Sequence, residues 1–86
     1  MVIHYSSHFI KQFKSLPKKI QTLAVEQEAI FKEDSQDPRL HCKALKGRLK
    51  GIYSFRVTRN YRILFTWQTA KDVIFHEIGD RKWIYK

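Results

Sequence analysis

The spacing of apolar positions changes twice along the chain. Residues 2–5, VIHY, are β-branched and aromatic and predict a first strand. The period then opens to three and four. Phe9, Ile10, Phe13 and Leu16 fall on one side of a helix, and Ser7 is placed to cap it by accepting from the free N–H groups of its first turn. Pro17 interrupts the pattern and fits the first position of a second helix, where its missing N–H costs nothing. Ile20, Leu23, Ala24, Gln27, Ile30 and Phe31 continue as one stripe, which predicts a helix running to about Lys32. Two such helices in succession form a hairpin that can be laid on a sheet.

Residues 33–51, EDSQDPRLHCKALKGRLKG, show neither period and read as a connection. Asp37-Pro38 signals a turn, Gly47 and Gly51 break regularity, and Leu40, Leu45 and Leu49 are expected to be tacked onto the core. From Ile52 the period becomes two. IYSFRV and YRILFTW flank the short TRN turn, and VIFHEIG at 73–79 follows a turn at Thr69–Asp72. The predicted fold class is α+β, in the order β-α-α-β-β-β. A helical hairpin packs on one face of a mainly antiparallel four-stranded sheet, and residues 1–86 make one domain.

Parity within the hairpin decides where its arginines point, because side chains alternate across a strand. With a three-residue loop, Thr58–Asn60, Val57 faces Tyr61 and Arg56 faces Arg62. One face then carries Tyr53, Phe55, Val57, Tyr61, Ile63, Phe65 and Trp67, and the other Ile52, Ser54, Arg56, Arg62, Leu64 and Thr66. The first is a core face; the second is open. A two-residue loop would put Arg56 among Tyr61, Ile63 and Phe65, an unpaired buried charge that costs several kcal/mol. The odd loop is therefore expected. It sets two guanidinium groups side by side, an arrangement that repels itself unless an anion lies between them, and phosphate oxygens match the guanidinium fork. Solvation of both arginines, or pairing with Glu77 or Asp80, is the competing expectation.

Composition narrows the partners. The chain has 86 residues, 43% hydrophobic and 29% charged, in the range of globular proteins. Its net charge is +9, of which residues 1–43 contribute +2 and residues 44–86 +7. From Arg39 to Lys71 there are nine basic residues and no acidic one. Such a run suits a polyanion. It also leaves no carboxylate cluster to hold Mg²⁺, so no metal and no cofactor is expected. The single cysteine, Cys42, allows no internal disulfide, and no apolar run is long enough to span a membrane. The start has no basic n-region followed by an apolar stretch; a cytoplasmic protein without membrane contact is expected.

The stretch LKGRLKGIYSFRVTRNYRILF and the ending IGDRKWIY, in this order of elements, resemble the RelE/ParE superfamily of toxins from bacterial type II toxin–antitoxin systems. The nearer likeness is to the RelE and YoeB branch of messenger-RNA interferases, through L-K-G-x-L-x-G-x-Y-S-x-R-V, Y-R-I and I-G-x-R-K-x-x-Y. The resemblance implies the RelE-like microbial RNase fold. It implies a metal-independent endoribonuclease that cleaves translated mRNA in the ribosomal A site by 2′-hydroxyl attack, and a cognate acidic antitoxin held in a hetero-oligomer. By position it makes Arg62 the arginine at the scissile phosphate and Arg81 the late basic residue. Tyr85 becomes the aromatic that stacks on a base or assists proton transfer, and Arg56 a further catalytic cation. Lys43, Lys46, Arg48, Lys50, Arg59 and Lys82 are the candidate RNA-binding residues. This sequence departs from the pattern at Arg48, where YoeB-like toxins carry a glutamate proposed as general base, and at Asp80, where many relatives have His, Lys or Thr. A ParE-like inhibitor of DNA gyrase and a non-catalytic RNA-binding module are the alternative readings.

Cleavage through the substrate's own 2′-hydroxyl needs a proton acceptor, a proton donor for the leaving 5′-oxygen, and cations for the charge on phosphorus. Arg62, Arg56 and Arg81 supply cations. Tyr85, Lys43, Lys46, Lys50, Glu77 and Asp80 are the candidates for acid and base, with no choice among them from sequence. His4 and His8 read as structural and His76 as a hydrogen-bonded core residue. His41, in the basic connection, reads as surface sooner than as an RNA contact. His41 and Cys42 lack the further ligands of a zinc site and the geometry of a nucleophile–base pair. Trp67 falls on the core face. Trp83 is expected to be exposed, as a base-stacking or antitoxin contact or as a hydrophobic plug.

Overall fold

The protein is described here by a computed structural model covering residues 1–85. Its elements are β1 (Val2–Tyr5), α1 (Ser7–Ser15), α2 (Lys18–Glu33), β2 (Lys43–Ala44), β3 (Tyr53–Arg56), β4 (Tyr61–Trp67), β5 (Asp72–Asp80) and α3 (Arg81–Ile84), with single 3₁₀ turns at Pro38–Leu40 and Gly47–Leu49. The sheet order is β1-β5-β4-β3-β2; β1 runs parallel to β5 and the other pairs are antiparallel. The sheet thus has one strand more than the expected four. Lys43 and Ala44 pair with Ser54 and Tyr53, because Gly47 (φ 66°) and Gly51 (φ 96°) turn the connection back along the edge of β3. Two residues carry no periodicity of their own, so only the neighbouring strand defines them.

The helix ends follow capping chemistry within one residue of expectation. Ser6, rather than Ser7, caps α1: its Oγ accepts from the Phe9 N–H at 3.0 Å and donates to the His76 carbonyl at 3.0 Å, which ties the helix start to β5. Pro17 precedes α2 instead of opening it. Beyond the reach of the short β1, α1 covers the edge of β5, and the Gln12 side chain accepts the Ile78 N–H at 2.9 Å. That N–H lies just past a bulge, where Leu64 pairs with Glu77 and Phe65 with Phe75.

The core face is the one parity gave. Phe55, Val57, Ile63 and Phe65 are buried, and Tyr53, Tyr61 and Trp67 pack against them. Phe31 of α2 is wholly buried at the centre, its ring 4.9 Å from those of Phe55 and Phe65 and 5.7 Å from that of Phe75, so one helical residue clamps three strands. Of the three leucines in the connection, Leu40 is fully buried, while Leu45 and Leu49 are half-buried. No helix among the described residues is long and apolar enough to cross a membrane.

Candidate RNA-cleavage site

On the far face of the sheet, Arg56 and Arg62 are cross-strand partners, as the three-residue loop required. That face is less open than the sequence implied. Arg62 is only 8% exposed, and Ser54 and Leu64 are buried beside it. The cover comes from α3. Asp80 caps it by accepting from the Lys82 N–H at 2.8 Å, and the Arg81 N–H donates to the Asn60 carbonyl at 2.8 Å, so the chain folds back as soon as β5 ends. Ile84 drops onto Gly79, where an added Cβ would lie 2.9 Å from the Ile84 Cγ2. A glycine is needed there for closeness of packing, since its backbone is ordinary strand.

The Arg62 guanidinium is fixed by backbone. Its Nη1 donates to the carbonyls of Thr58 at 2.8 Å and Arg59 at 2.7 Å, both in the hairpin turn. Burial pulls its pKa down; Tyr85 opposes that shift, and the like charges of Arg56 and Arg81 add to it. Arg56, Arg81 and Tyr85 are therefore all close enough to act on the charge of Arg62. Arg56 is half-buried, and its Nε is buried without a hydrogen-bond partner among the described residues. The Tyr85 hydroxyl donates to Ser54 Oγ at a long 3.4 Å.

A concavity of about 360 Å³ opens beside this pair, lined by His41, Cys42, Lys43, Arg56 and Arg62, with no carboxylate among them. The connection supplies three of the five. Leu40 anchors it in the core, and Gln27 of α2 donates to the carbonyls of Arg39 at 3.2 Å and Arg56 at 2.8 Å. The segment that carries His41 is thus held against the strand that carries Arg56. Lys43 faces the same way as its partner Ser54. Burial pushes the Cys42 thiol up, away from the thiolate form.

The structure therefore brings Arg56, Arg62, Arg81, Tyr85 and Lys43 together. Lys46, Arg48 and Lys50 lie exposed on the loop after β2 and do not line the concavity. Arg59 is exposed at the hairpin tip and Lys82 on α3. Both acidic candidates have other partners: Asp80 is the α3 cap, and Glu77 meets His8 at 3.4 Å beside α1. Neither Arg56 nor Arg62 is paired with them. His76 is not a core residue. The bulge breaks its alternation with Ile78, and it sits half-exposed, with Nε2 2.8 Å from Thr66 Oγ1. Trp67 packs against the core, and Trp83 is 66% exposed. His41, exposed as the sequence reading has it, also lines the concavity with the arginines; its separation from them along the chain hid that approach in space.

A helical hairpin on one sheet face and a cationic cluster under a C-terminal turn on the other is the architecture of a RelE/ParE-type toxin. Residues 5–78 match the family described as RelE-like toxin of type II toxin–antitoxin system HigB, and the chain belongs to that HigB-like toxin family. No curated protein is a significant match to the sequence. The fold is shared with YafQ from Escherichia coli, at a TM-score of 0.80 and 17% identity over 98% of this chain and 97% of that one. YoeB in the YoeB–YefM complex from Staphylococcus aureus matches at 0.75 and 18%, over 92% and 94% of the two chains. RelE in the RelB–RelE antitoxin–toxin complex from Methanococcus jannaschii matches at 0.71 and 26%, over 95% and 94%.

Proposed function

We propose that this toxin is a ribosome-dependent endoribonuclease, cutting translated mRNA through attack of a 2′-hydroxyl on the adjacent phosphorus. The observation that carries the reading is the guanidinium pair. Arg62 is locked by the hairpin carbonyls, and Arg56 beside it has a buried Nε that no group among the described residues accepts from. Two adjacent cations in a concavity without carboxylates fit a phosphate whose charge grows in the transition state. Arg81 adds charge from α3, and Tyr85, next to Arg62, is placed to protonate the leaving 5′-oxygen. Lys46, Arg48, Lys50, Arg59 and Lys82 extend the basic surface along which RNA backbone or ribosomal RNA can lie. The site is shallow, so the ribosome is proposed to hold the message against it, and the proposed activity is cytoplasmic.

The partner that silences it is an antitoxin, in line with relatives solved as toxin–antitoxin complexes. Two surfaces suit an acidic amphipathic segment: the basic face, and an apolar groove of about 330 Å³ between α1 and α2, walled in part by Phe9, Ile10, Phe13 and Val25. Purified protein added to ribosomes programmed with a defined message tests the nuclease reading. Cleavage confined to the translated message is expected. Equal cutting of naked RNA would remove the ribosome from the account, and absence of cutting would remove the chemistry.

A further inference from the structure

We infer that His41 is the base of this site, accepting the proton of the attacking 2′-hydroxyl; the inference rests on the nuclease reading above and names the group that reading leaves unassigned. Three observations converge on it. His41 lines the concavity together with Arg56 and Arg62, the two cations expected to hold the phosphate. The carboxylates that sequence offered as bases are turned to other work, Asp80 as a helix cap and Glu77 beside His8. And His41 is the one non-glycine residue with positive φ among those described, at 48°, directly after the 3₁₀ turn whose Leu40 is fully buried. A left-handed backbone at a residue with a Cβ is uncommon, and it persists where the surroundings enforce it. Here Asp37 caps the turn, Gln27 holds its Arg39 carbonyl, and β2 begins two residues later. The geometry is imposed from both sides, and it delivers an imidazole to the cations.

Of the groups lining the concavity, Lys43, Arg56 and Arg62 are of cationic types and the Cys42 thiol is held in its protonated form by burial. Imidazole is the side-chain type that offers an unprotonated nitrogen near neutral pH. In the reaction the 2′-oxygen gives its proton to the His41 ring and forms its bond to phosphorus. The phosphorus–5′-oxygen bond breaks, its electron pair leaves with the 5′-oxygen, and that oxygen takes a proton from the Tyr85 hydroxyl. The products are a 2′,3′-cyclic phosphate and a 5′-hydroxyl, after which the proton on His41 returns through water to the phenolate. The charged and titratable groups facing His41 across the concavity are Lys43 of β2, Arg56 of β3 and Arg62 of β4, with Cys42 adjacent in the chain.

The test is single-turnover cleavage on programmed ribosomes, measured from about pH 5 to about pH 8, for wild type, His41→Asn, His41→Gly and Arg62→Lys, with thermal melting of each. Asn and Gly both accept the left-handed backbone, so the two His41 variants should melt no lower than wild type. His41→Asn should slow cleavage roughly 10²–10⁴-fold at neutral pH, the range for losing a general base, and should lose the acidic limb of the rate profile. Added imidazole should restore part of the rate to His41→Gly and nothing to Arg62→Lys. If both His41 variants cut within a few-fold of wild type with the acidic limb intact while Arg62→Lys is crippled, the inference is overturned and the nuclease reading stands. If wild type does not cut, or Arg62→Lys cuts like wild type, the nuclease reading falls and the assignment of His41 falls with it.

Discussion

In Arg62 packing and the proposed chemistry use the same atoms. Its Nη1 satisfies two part-buried turn carbonyls, and the same bonds fix the guanidinium beside the concavity. Arg62→Ala should therefore cost stability as well as rate: about 1–3 kcal/mol for the stranded carbonyls, and roughly 10²–10³-fold in single-turnover cleavage for a lost preorganised donor. Arg81 is exposed, so Arg81→Ala should show a comparable rate loss with the melting temperature unchanged. Equal melting of the two variants would show that the hairpin carbonyls do not depend on Arg62. Tyr85→Phe keeps the ring and removes the hydroxyl; unchanged cleavage by that variant would leave Tyr85 a stacking role only. Asp37 gives a separate, pH-dependent effect. Its hydrogen bonds to the Arg39 side chain and N–H hold its pKa down at about 2. The folded value lies below the unfolded one, so its contribution is complete above about pH 4 and is lost as pH falls through about 2. The 3₁₀ turn before His41 should loosen over that window in wild type, and Asp37→Asn should remove the dependence.

At the scale of elements, the fold divides into a part that is stable and a part that is positioned. α2 belongs to the first: Phe31→Ala opens a cavity under three strands and should cost about 3–5 kcal/mol, measured by denaturant titration. The four-residue α3 belongs to the second. It is held by the Asp80 cap, the Arg81 N–H bond to Asn60, and the contact of Ile84 on Gly79. In Gly79→Ala the new methyl meets the γ2 methyl of the β-branched Ile84 at 2.9 Å, too close for the helix to keep its place. Cleavage should then fall as far as in Arg81→Ala, while stability falls by much less than in Phe31→Ala. A Gly79→Ala protein that cuts at the wild-type rate would mean that α3 does not need its present seat.

For the whole molecule the decisive feature is the asymmetry between two surfaces. The sheet's cationic face lies on one side; on the other the helices leave an apolar groove with Ile10 41% and Val25 56% exposed. An antitoxin that used both would bind with one salt-sensitive and one salt-insensitive component. Raising the salt should weaken the complex without abolishing it. Val25→Asp or Ile10→Asp should release the toxin from neutralisation in a growth assay while leaving cleavage on ribosomes intact, since neither residue lies near the arginines. A complex indifferent to salt would confine the antitoxin to the helical groove.

The sequence by itself determined the elements whose periodicity is long enough to read, and loop parity alone paired Arg56 with Arg62. It could do so because alternation across a strand is local and the cost of burying the wrong face is large. The tertiary structure alone decided what depends on separated segments meeting. β2 exists only as an edge partner of β3. The bulge at Leu64 and Phe65 returned Ile78 to the core and left His76, next to Phe75, on the other face, because a single extra residue shifts the alternation without changing composition. The cover over Arg62 comes from α3, and the arrival of His41 beside the arginines depends on Gln27 of a helix bridging to Arg39 and Arg56. Loop parity placed Arg56 and Arg62, since each is carried by its own strand. The base lies on an irregular connection, where neighbours along the chain say little about neighbours in space.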